Sequence, residues 1–145
     1  MKLRIIITDS EPEEILIYAR KRTPLIDEIE RLAEEENSRE LIGYANGEAT
    51  KLDPFRVTCC IVENGRVFAL TDERLQVKLR LYQVEELLDT SFIKINQSCI
   101  ANVRQIERVK ATFSGSLCVV FKNGYTDYIS RRNLKKVKER LGVKL

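Results

Sequence analysis

The chain has 145 residues and a formal net charge of +3; 43% of the residues are hydrophobic and 32% are charged, which allows one domain with a core plus a small appendage. No apolar run approaches the length of a membrane span and the amino-terminal segment soon turns acidic, so we expect a cytoplasmic protein that is neither membrane-bound nor secreted. Because the sequence lacks histidine for acid–base chemistry and a glycine motif that would cradle a phosphate, it predicts no enzyme, no catalytic residues, no cofactor and no small-molecule substrate.

The first 40 residues predict a small strand–strand–helix segment. Leu3–Thr8 is strand-like, and Ile15–Ala19 is either a second strand or a short helix, with its β-branched and aromatic content favouring a strand. Thr23 and Pro24 are a helix-start signal, and an apolar face opposite an acidic face continues from there to about residue 36. We interpret residues 1–40 as a dimerisation or regulatory element.

The remaining residues, 41–145, predict a mostly antiparallel β domain. Three Asn-Gly pairs, beginning at positions 46, 64 and 123, each lie between β-prone runs, and this pair suits the type I′ turn, whose two central residues need positive φ. A short helix is expected over Leu81–Leu88 and a strand over Phe92–Asn96, followed by a compact turn, SCIAN, and a long strand from Val103. The predicted class is therefore α+β, mostly β with a few helices.

The carboxy-terminal sequence YISRRNLKKVKERLG predicts a strand that passes into a helix at Ser130. Ser130 is a good N-cap, because its hydroxyl can accept a hydrogen bond from a first-turn amide. Arg131 and Arg132 follow at the positive end of the helix dipole, where acidic residues are normally favoured. Two arginines at this position make sense if a phosphate or a base edge completes the site.

Basic residues are concentrated in the last third of the chain. Residues 1–90 hold 13 Lys and Arg against 19 Asp and Glu, a net charge of −6, whereas residues 91–145 hold 12 against 3, a net charge of +9. This asymmetry suggests an anionic partner, most often nucleic acid, although a solvated lysine-rich surface has the same composition.

Polar side chains at the end of the predicted FIKIN strand are candidates for DNA contacts. Lys94 alternates with two isoleucines and faces away from them, and Asn96, Gln97 and Ser98 follow at the strand end. Asn and Gln can pair with adenine and Arg with guanine, whereas Lys94 and Ser98 suit phosphates. Arg66, on a predicted hairpin, either contacts DNA or is merely solvated. Each residue taken singly also fits a solvated surface position; the set together favours the functional interpretation.

The cysteines do not predict a metal site. Cys59, Cys60, Cys99 and Cys118 form no CxxC pair, and no histidine accompanies them. Cys59 and Cys60 are adjacent, so on a strand they point to opposite faces. We interpret all four as reduced thiols that act as small, partly buried apolar groups.

Two stretches resemble the LytTR DNA-binding domain family. The segment FIKINQSCIANVRQIERV resembles a motif that reads Phe, aliphatic, Arg or Lys, aliphatic, two polar or basic residues, Ser, a hydrophobic pair and Val-Asn; Phe92, Lys94, Ser98 and Asn102 fall on it. The segment YISRRNLKKVKERL resembles the family's Ser-Arg-Arg followed by a lysine-rich helix. The likeness covers roughly residues 41–145.

The resemblance implies an elongated, mostly antiparallel β fold that binds paired repeats of double-stranded DNA sequence-specifically and bends them. The implied contacts come from the strand-end loop and from the start of the last helix. Carried over by position, they are Lys94, Asn96, Gln97, Ser98, Arg131 and Arg132, with Arg66 on a loosely corresponding hairpin. The family often has histidine or a basic residue at the places of Asn96 and Gln97, and this departure bears on which bases are read.

Paired repeats call for two protein copies, so we expect a homodimer on DNA. Only about 40 residues precede the DNA-binding part, too few for the phosphorylatable receiver domain of many relatives, so the protein resembles the short, stand-alone regulators. Residues 1–40 are candidates for self-association or for binding a controlling protein. The alternative function is a protein-binding adaptor or inhibitor that acts through the acidic helix; RNA binding is a weaker option without an aromatic stacking platform.

Overall fold

The computed structural model describes residues 1–37 and 40–145. The chain divides into two compact units, residues 1–38 and residues 39–145, and each is described by itself. In the described ranges, no helix combines the length and the apolar character that crossing a bilayer would require.

The amino-terminal unit contains one helix, α1 (Pro24–Asn37). Its start agrees with the prediction, because the Thr23 hydroxyl accepts a hydrogen bond from the amide of Ile26 at 3.3 Å and the Thr23 carbonyl accepts one from Asp27 at 3.1 Å. The two strands expected before the helix are not formed, since residues 1–22 contain no strand. A strand needs backbone partners on a neighbouring chain segment, and β-prone composition alone does not supply them.

The carboxy-terminal unit contains two antiparallel sheets. The strands are β1 (Ile42–Ala45), β2 (Glu48–Lys51), β3 (Cys59–Glu63), β4 (Arg66–Leu70), β5 (Arg74–Val77), β6 (Phe92–Asn96), β7 (Cys99–Asn102), β8 (Ile106–Ala111), β9 (Leu117–Phe121) and β10 (Thr126–Tyr128). The larger sheet has the order β2-β1-β5-β4-β3-β7-β6, and the smaller one has the order β10-β9-β8. Helix α2 (Leu81–Leu87) joins β5 to β6, and helix α3 (Arg131–Leu141) follows β10. The mostly β, α+β class is therefore confirmed.

Two of the three Asn-Gly pairs form the predicted tight hairpin turns. Asn46 and Gly47 join β1 to β2, and Asn64 and Gly65 join β3 to β4; all four residues have positive φ, between 52° and 76°. The pair at Asn123 also lies between two antiparallel strands, but only its glycine has positive φ. There the Asn123 side chain accepts a hydrogen bond from the amide of Tyr125 at 3.0 Å, which stabilises a longer turn.

The core has two layers, one on each face of the larger sheet. Cys59 and the inward residues of β6 and β7 pack against β9 and the helix α3, whereas Cys60 and the opposite face pack against α2. The adjacent cysteines therefore point to opposite faces, as predicted. Because β6 is the last strand of the larger sheet and contacts α3 as well, the polar turn that follows it lies near the start of α3.

The segment after β6 differs from the sequence expectation. SCIAN is not a compact turn: residues Cys99–Asn102 form β7, which lies between β3 and β6. Asn102 is fully buried, donates to the carbonyl of Val57 at 2.8 Å and caps a short 3-10 turn at Val103–Gln105. The next strand consequently begins at Ile106 and not at Val103.

Candidate nucleic-acid interface

The turn between β6 and β7 presents two polar side chains to solvent. Gln97 and Ser98 are both exposed. The backbone beneath them is held on two sides, because the Ser98 amide donates to Asn96 Oδ1 at 2.8 Å and the Ser98 carbonyl accepts from the Val62 amide at 2.9 Å. These hydrogen bonds therefore hold the turn in place, while the Gln97 side chain is exposed to solvent.

Asn96 is not at the surface, although the sequence suggested it as a DNA contact. Its relative exposure is 1%, and its Nδ2 donates to Asp127 Oδ1 at 3.0 Å and to the Tyr128 carbonyl at 2.8 Å. Its Oδ1 accepts from Ser98, as described above. All three functions of the amide are used inside the protein, so this side chain joins the turn to β10 and does not face solvent.

The polar network continues from Asn96 to a half-buried tyrosine. Tyr125 donates its hydroxyl to Asp127 Oδ2 at 3.2 Å. Burial, reinforced by the nearby Asp127 carboxylate, raises the pKa of Tyr125 well above its ordinary value. The hydroxyl therefore keeps its proton at neutral pH and remains a donor to the carboxylate that holds Asn96.

The start of α3 lies directly beside the end of β6. The Ser130 amide donates to the Ile95 carbonyl at 2.9 Å, although the two residues are 35 positions apart in the sequence. Ser130 occupies the predicted N-cap position, but its hydroxyl caps no backbone amide and instead accepts from Asn133 Nδ2 at 2.7 Å. Arg131 and Arg132 follow as exposed side chains, and neither forms an ion pair in the described residues.

An open groove at one end of the larger sheet contains three of the predicted residues. Arg66, Lys94 and Gln97 line it together, and its volume is about 730 Å³. Lys78 and Arg80 line the same groove, whereas no carboxylate of the described residues does. We call this feature the basic groove. The sequence analysis did not single out Lys78 and Arg80, because only the pairing of β4 with β5 brings them beside Arg66.

The predicted residues thus belong to two segments that are attached to each other at the end of β6. Lys94, Gln97 and Arg66 lie along the basic groove, and the exposed Ser98 belongs to the same turn as Gln97. Arg131 and Arg132 begin the adjoining helix, which the contact between Ser130 and Ile95 attaches to the strand end. Only Asn96 lies beneath this surface.

The cysteines play no part in this surface. All four are free and buried. Burial raises the pKa of Cys60 to about 12, and a hydrogen bond with Cys59 together with burial raises the pKa of Cys99 far above its ordinary value. Both thiols are protonated at neutral pH and lack nucleophilic character, which agrees with their interpretation as apolar core groups.

Comparison with known proteins gives concordant results. The sequence model of the LytTr DNA-binding domain matches residues 47–142. Proteins named uncharacterized HTH-type transcriptional regulators from Staphylococcus aureus strains NCTC 8325 / PS 47 and MSSA476 are each 33% identical over 146 residues, covering 99% of both chains. A solved LytTr DNA-binding domain from Bacillus cereus superposes with a TM-score of 0.66 at 18% identity, covering 73% of this chain and 100% of that one.

Proposed function

The chain belongs to the LytTr DNA-binding domain family, and from this premise we propose that it reads duplex DNA through the Gln97 turn and the start of α3. DNA-binding transcriptional regulation is the function that the family and the relatives' names support. The observation that carries the reading surface is the hydrogen bond from Ser130 to the Ile95 carbonyl at 2.9 Å, since it joins two polar segments into one surface.

Gln97 and Arg132 are the proposed base-reading residues. The amide of Gln97 offers one donor and one acceptor, which is the pattern that adenine presents in the major groove, and the guanidinium of Arg132 suits guanine. Both side chains are exposed, and in the part of the chain that the structure describes neither has an intramolecular hydrogen-bond partner. Their polar groups are thus available to a ligand.

Arg131, Lys94, Ser98 and Arg66 are proposed to contact phosphates. At the start of α3, unpaired backbone amides and the positive end of the helix dipole attract an anion, and Arg131 adds a full charge. This explains two arginines at a helix end where acids are favoured: the site is complete only with a phosphate present. Such contacts orient the protein on the duplex and leave discrimination to the bases.

Asn96 has a positioning role in this proposal. Its amide holds both the Ser98 amide and the Tyr128 carbonyl, so it fixes the Gln97 turn relative to the residues that lead into α3. The relatives are named for a helix-turn-helix class, but in the described residues strands separate α2 from α3. We therefore assign base reading to a turn and a helix start and not to a recognition helix.

Two copies of the protein are proposed to bind paired repeats, as a homodimer. The amino-terminal unit favours self-association, because large apolar side chains are exposed along residues 1–22, including Leu3 at 86%, Ile7 at 93% and Tyr18 at 94%. β-prone residues without partner strands are suited to pairing with a second copy. A controlling protein is the alternative occupant, which corresponds to the adaptor function considered from the sequence.

The proposal is tested by selecting the binding site from a random duplex library and then measuring two variants on it. Gln97→Ala and Arg132→Ala should each weaken the preference for the selected site over random duplex by about tenfold or more, because each loses a paired contact to one base. Arg108→Ala is the matched control, since Arg108 is exposed but pairs with Glu107 on the smaller sheet. If both test variants discriminate as well as the parent, the reading surface is assigned incorrectly.

A further inference from the structure

We propose that the basic groove binds the phosphate backbone of DNA beside the base-reading turn, with Lys78 and Arg80 as its additional contacts. This inference rests on the proposed function and extends it to residues outside the two recognised motifs. The segment between β5 and α2 then becomes a third part of the DNA interface.

The groove is formed where the ends of three strands come together. In the ladder between β4 and β5, Val67 lies opposite Val77, so Arg66 and Lys78 are neighbours at the same end of the pair. Arg80 follows two residues later, immediately before α2. Lys94 and Gln97 complete the lining from β6 and from the turn after it. The groove therefore leads directly to the proposed reading residue.

The four cations of the groove lack acidic partners. Among the described residues none of Arg66, Lys78, Arg80 and Lys94 forms an ion pair. Elsewhere five basic side chains do pair with carboxylates: Arg22, Arg31, Lys51, Arg74 and Arg108. Lys78 has an aromatic neighbour outside the groove lining, since its ammonium lies 4.3 Å from the centre of the Tyr44 ring. Four like charges in one concavity repel each other, and an anionic ligand offsets that repulsion.

The shape of the groove favours a phosphate chain over a small anion. The groove is open, and Arg66, Lys78 and Arg80 are exposed side chains and not buried ligands of a closed cage. Exposed cations along an open groove suit the successive phosphates of a duplex backbone. Because Gln97 lies in the same lining, a backbone seated in the groove places its bases beside that side chain.

The test uses the full chain and the DNA site obtained by selection, with binding measured across a series of salt concentrations. The double variant Lys78→Gln/Arg80→Gln should give a slope of log affinity against log salt that is shallower by about 1.8, because each lost phosphate contact removes about 0.9. If the variant and the parent bind equally well at 1 M salt, this difference in slope makes the variant about sixty-fold weaker than the parent at 0.1 M salt. The ratio of cognate to random binding should stay unchanged, since phosphates carry no sequence information.

The matched control is Arg56→Gln/Lys122→Gln, which removes the same two residue types from exposed positions. Arg56 and Lys122 line a different cavity that also contains Asp53, Asp72 and Glu73. This control should keep the parent's slope, and the charge-conserving Lys78→Arg/Arg80→Lys should do so too. If circular dichroism shows that the Lys78→Gln/Arg80→Gln protein is folded and its salt slope equals that of the parent, the proposal that the basic groove binds phosphates is wrong. A parent that binds no duplex at all overturns the proposed function itself, so the two failures are distinguishable.

Discussion

Replacing Asn96 with aspartate should destabilise the junction between the β6 turn and α3, although the change only replaces the side-chain NH2 group with an oxygen. In the native protein Nδ2 is a donor placed 3.0 Å from a carboxylate oxygen of Asp127 and 2.8 Å from the Tyr128 carbonyl. Asn96→Asp replaces that donor with an acceptor, so both contacts become repulsive. The acceptor that holds the Ser98 amide is retained.

The expected loss is about 4 kcal/mol. A hydrogen bond to a charged partner contributes about 1.5–3 kcal/mol, and a buried carbonyl left without a donor costs about 1–3 kcal/mol. For a domain of this size, 4 kcal/mol lowers the midpoint of thermal unfolding by roughly 12 °C. The carboxylate introduced by Asn96→Asp lies beside the Asp127 carboxylate, so it gains a proton readily and the penalty should shrink between pH 7 and pH 4.

Urea unfolding at pH 7 and pH 4 measures this loss of stability, and two further variants serve as controls. Asn64→Asp makes the same chemical change at an exposed turn and should stay within about 0.5 kcal/mol of the parent. The double variant Asn96→Asp/Asp127→Asn restores a donor opposite an acceptor and should recover part of the stability. An Asn96→Asp protein that unfolds within about 1 kcal/mol of the parent at pH 7 would refute the assigned hydrogen bonds.

Three further changes test other parts of the structure. Gly43→Ala should destabilise the protein by about 1–3 kcal/mol in thermal unfolding, because the added Cβ would lie 2.8 Å from Leu75 Cβ in the pairing of β1 with β5; an unchanged midpoint contradicts that packing. Under reducing conditions the Cys60 thiol should lower the free energy of unfolding by about 1.4 kcal/mol per pH unit above about pH 9, because the pKa of this thiol is 9.0 when unfolded and about 12 when folded; Cys60→Ala should show a shallower decline. Deleting residues 1–40 should abolish dimers in sedimentation while retaining site recognition at high protein concentration, and dimers that persist would place self-association elsewhere.

The sequence predicted correctly those turns and helices that depend only on residues close together in the chain. The turn at Asn64 and Gly65 needs only two residues that tolerate positive φ, and the helix α1 needs only its Thr23 cap and an amphipathic repeat. The strand Phe92–Asn96 has the predicted bounds, because apolar and polar residues alternate along it. Strand pairing depends on a partner segment that can be distant in the sequence. The β-prone composition of residues 1–22 therefore predicted strands that the structure does not contain.

The burial of Asn96 was not predictable from alternation. In a regular strand Asn96 shares a face with Lys94 and lies opposite Ile95. The register of β6 against β7 shifts between Lys94 and Asn96, and such an irregularity re-aims the side chains that follow it. The groove residues Lys78 and Arg80 were missed for a related reason, since their nearness to Arg66 depends on the β4–β5 register and not on spacing along the chain.

Asn96 and Gln97 are adjacent in the chain, but one is buried and hydrogen-bonded and the other is exposed. The buried amide carries the hydrogen bonds that hold the turn, whereas the neighbouring exposed side chain carries none of them. Substitutions at position 97 therefore leave the scaffold's stability intact. Under the proposed function, the base preference contributed by position 97 can therefore change, by natural drift or in the laboratory, while the asparagine beneath it keeps the turn in place.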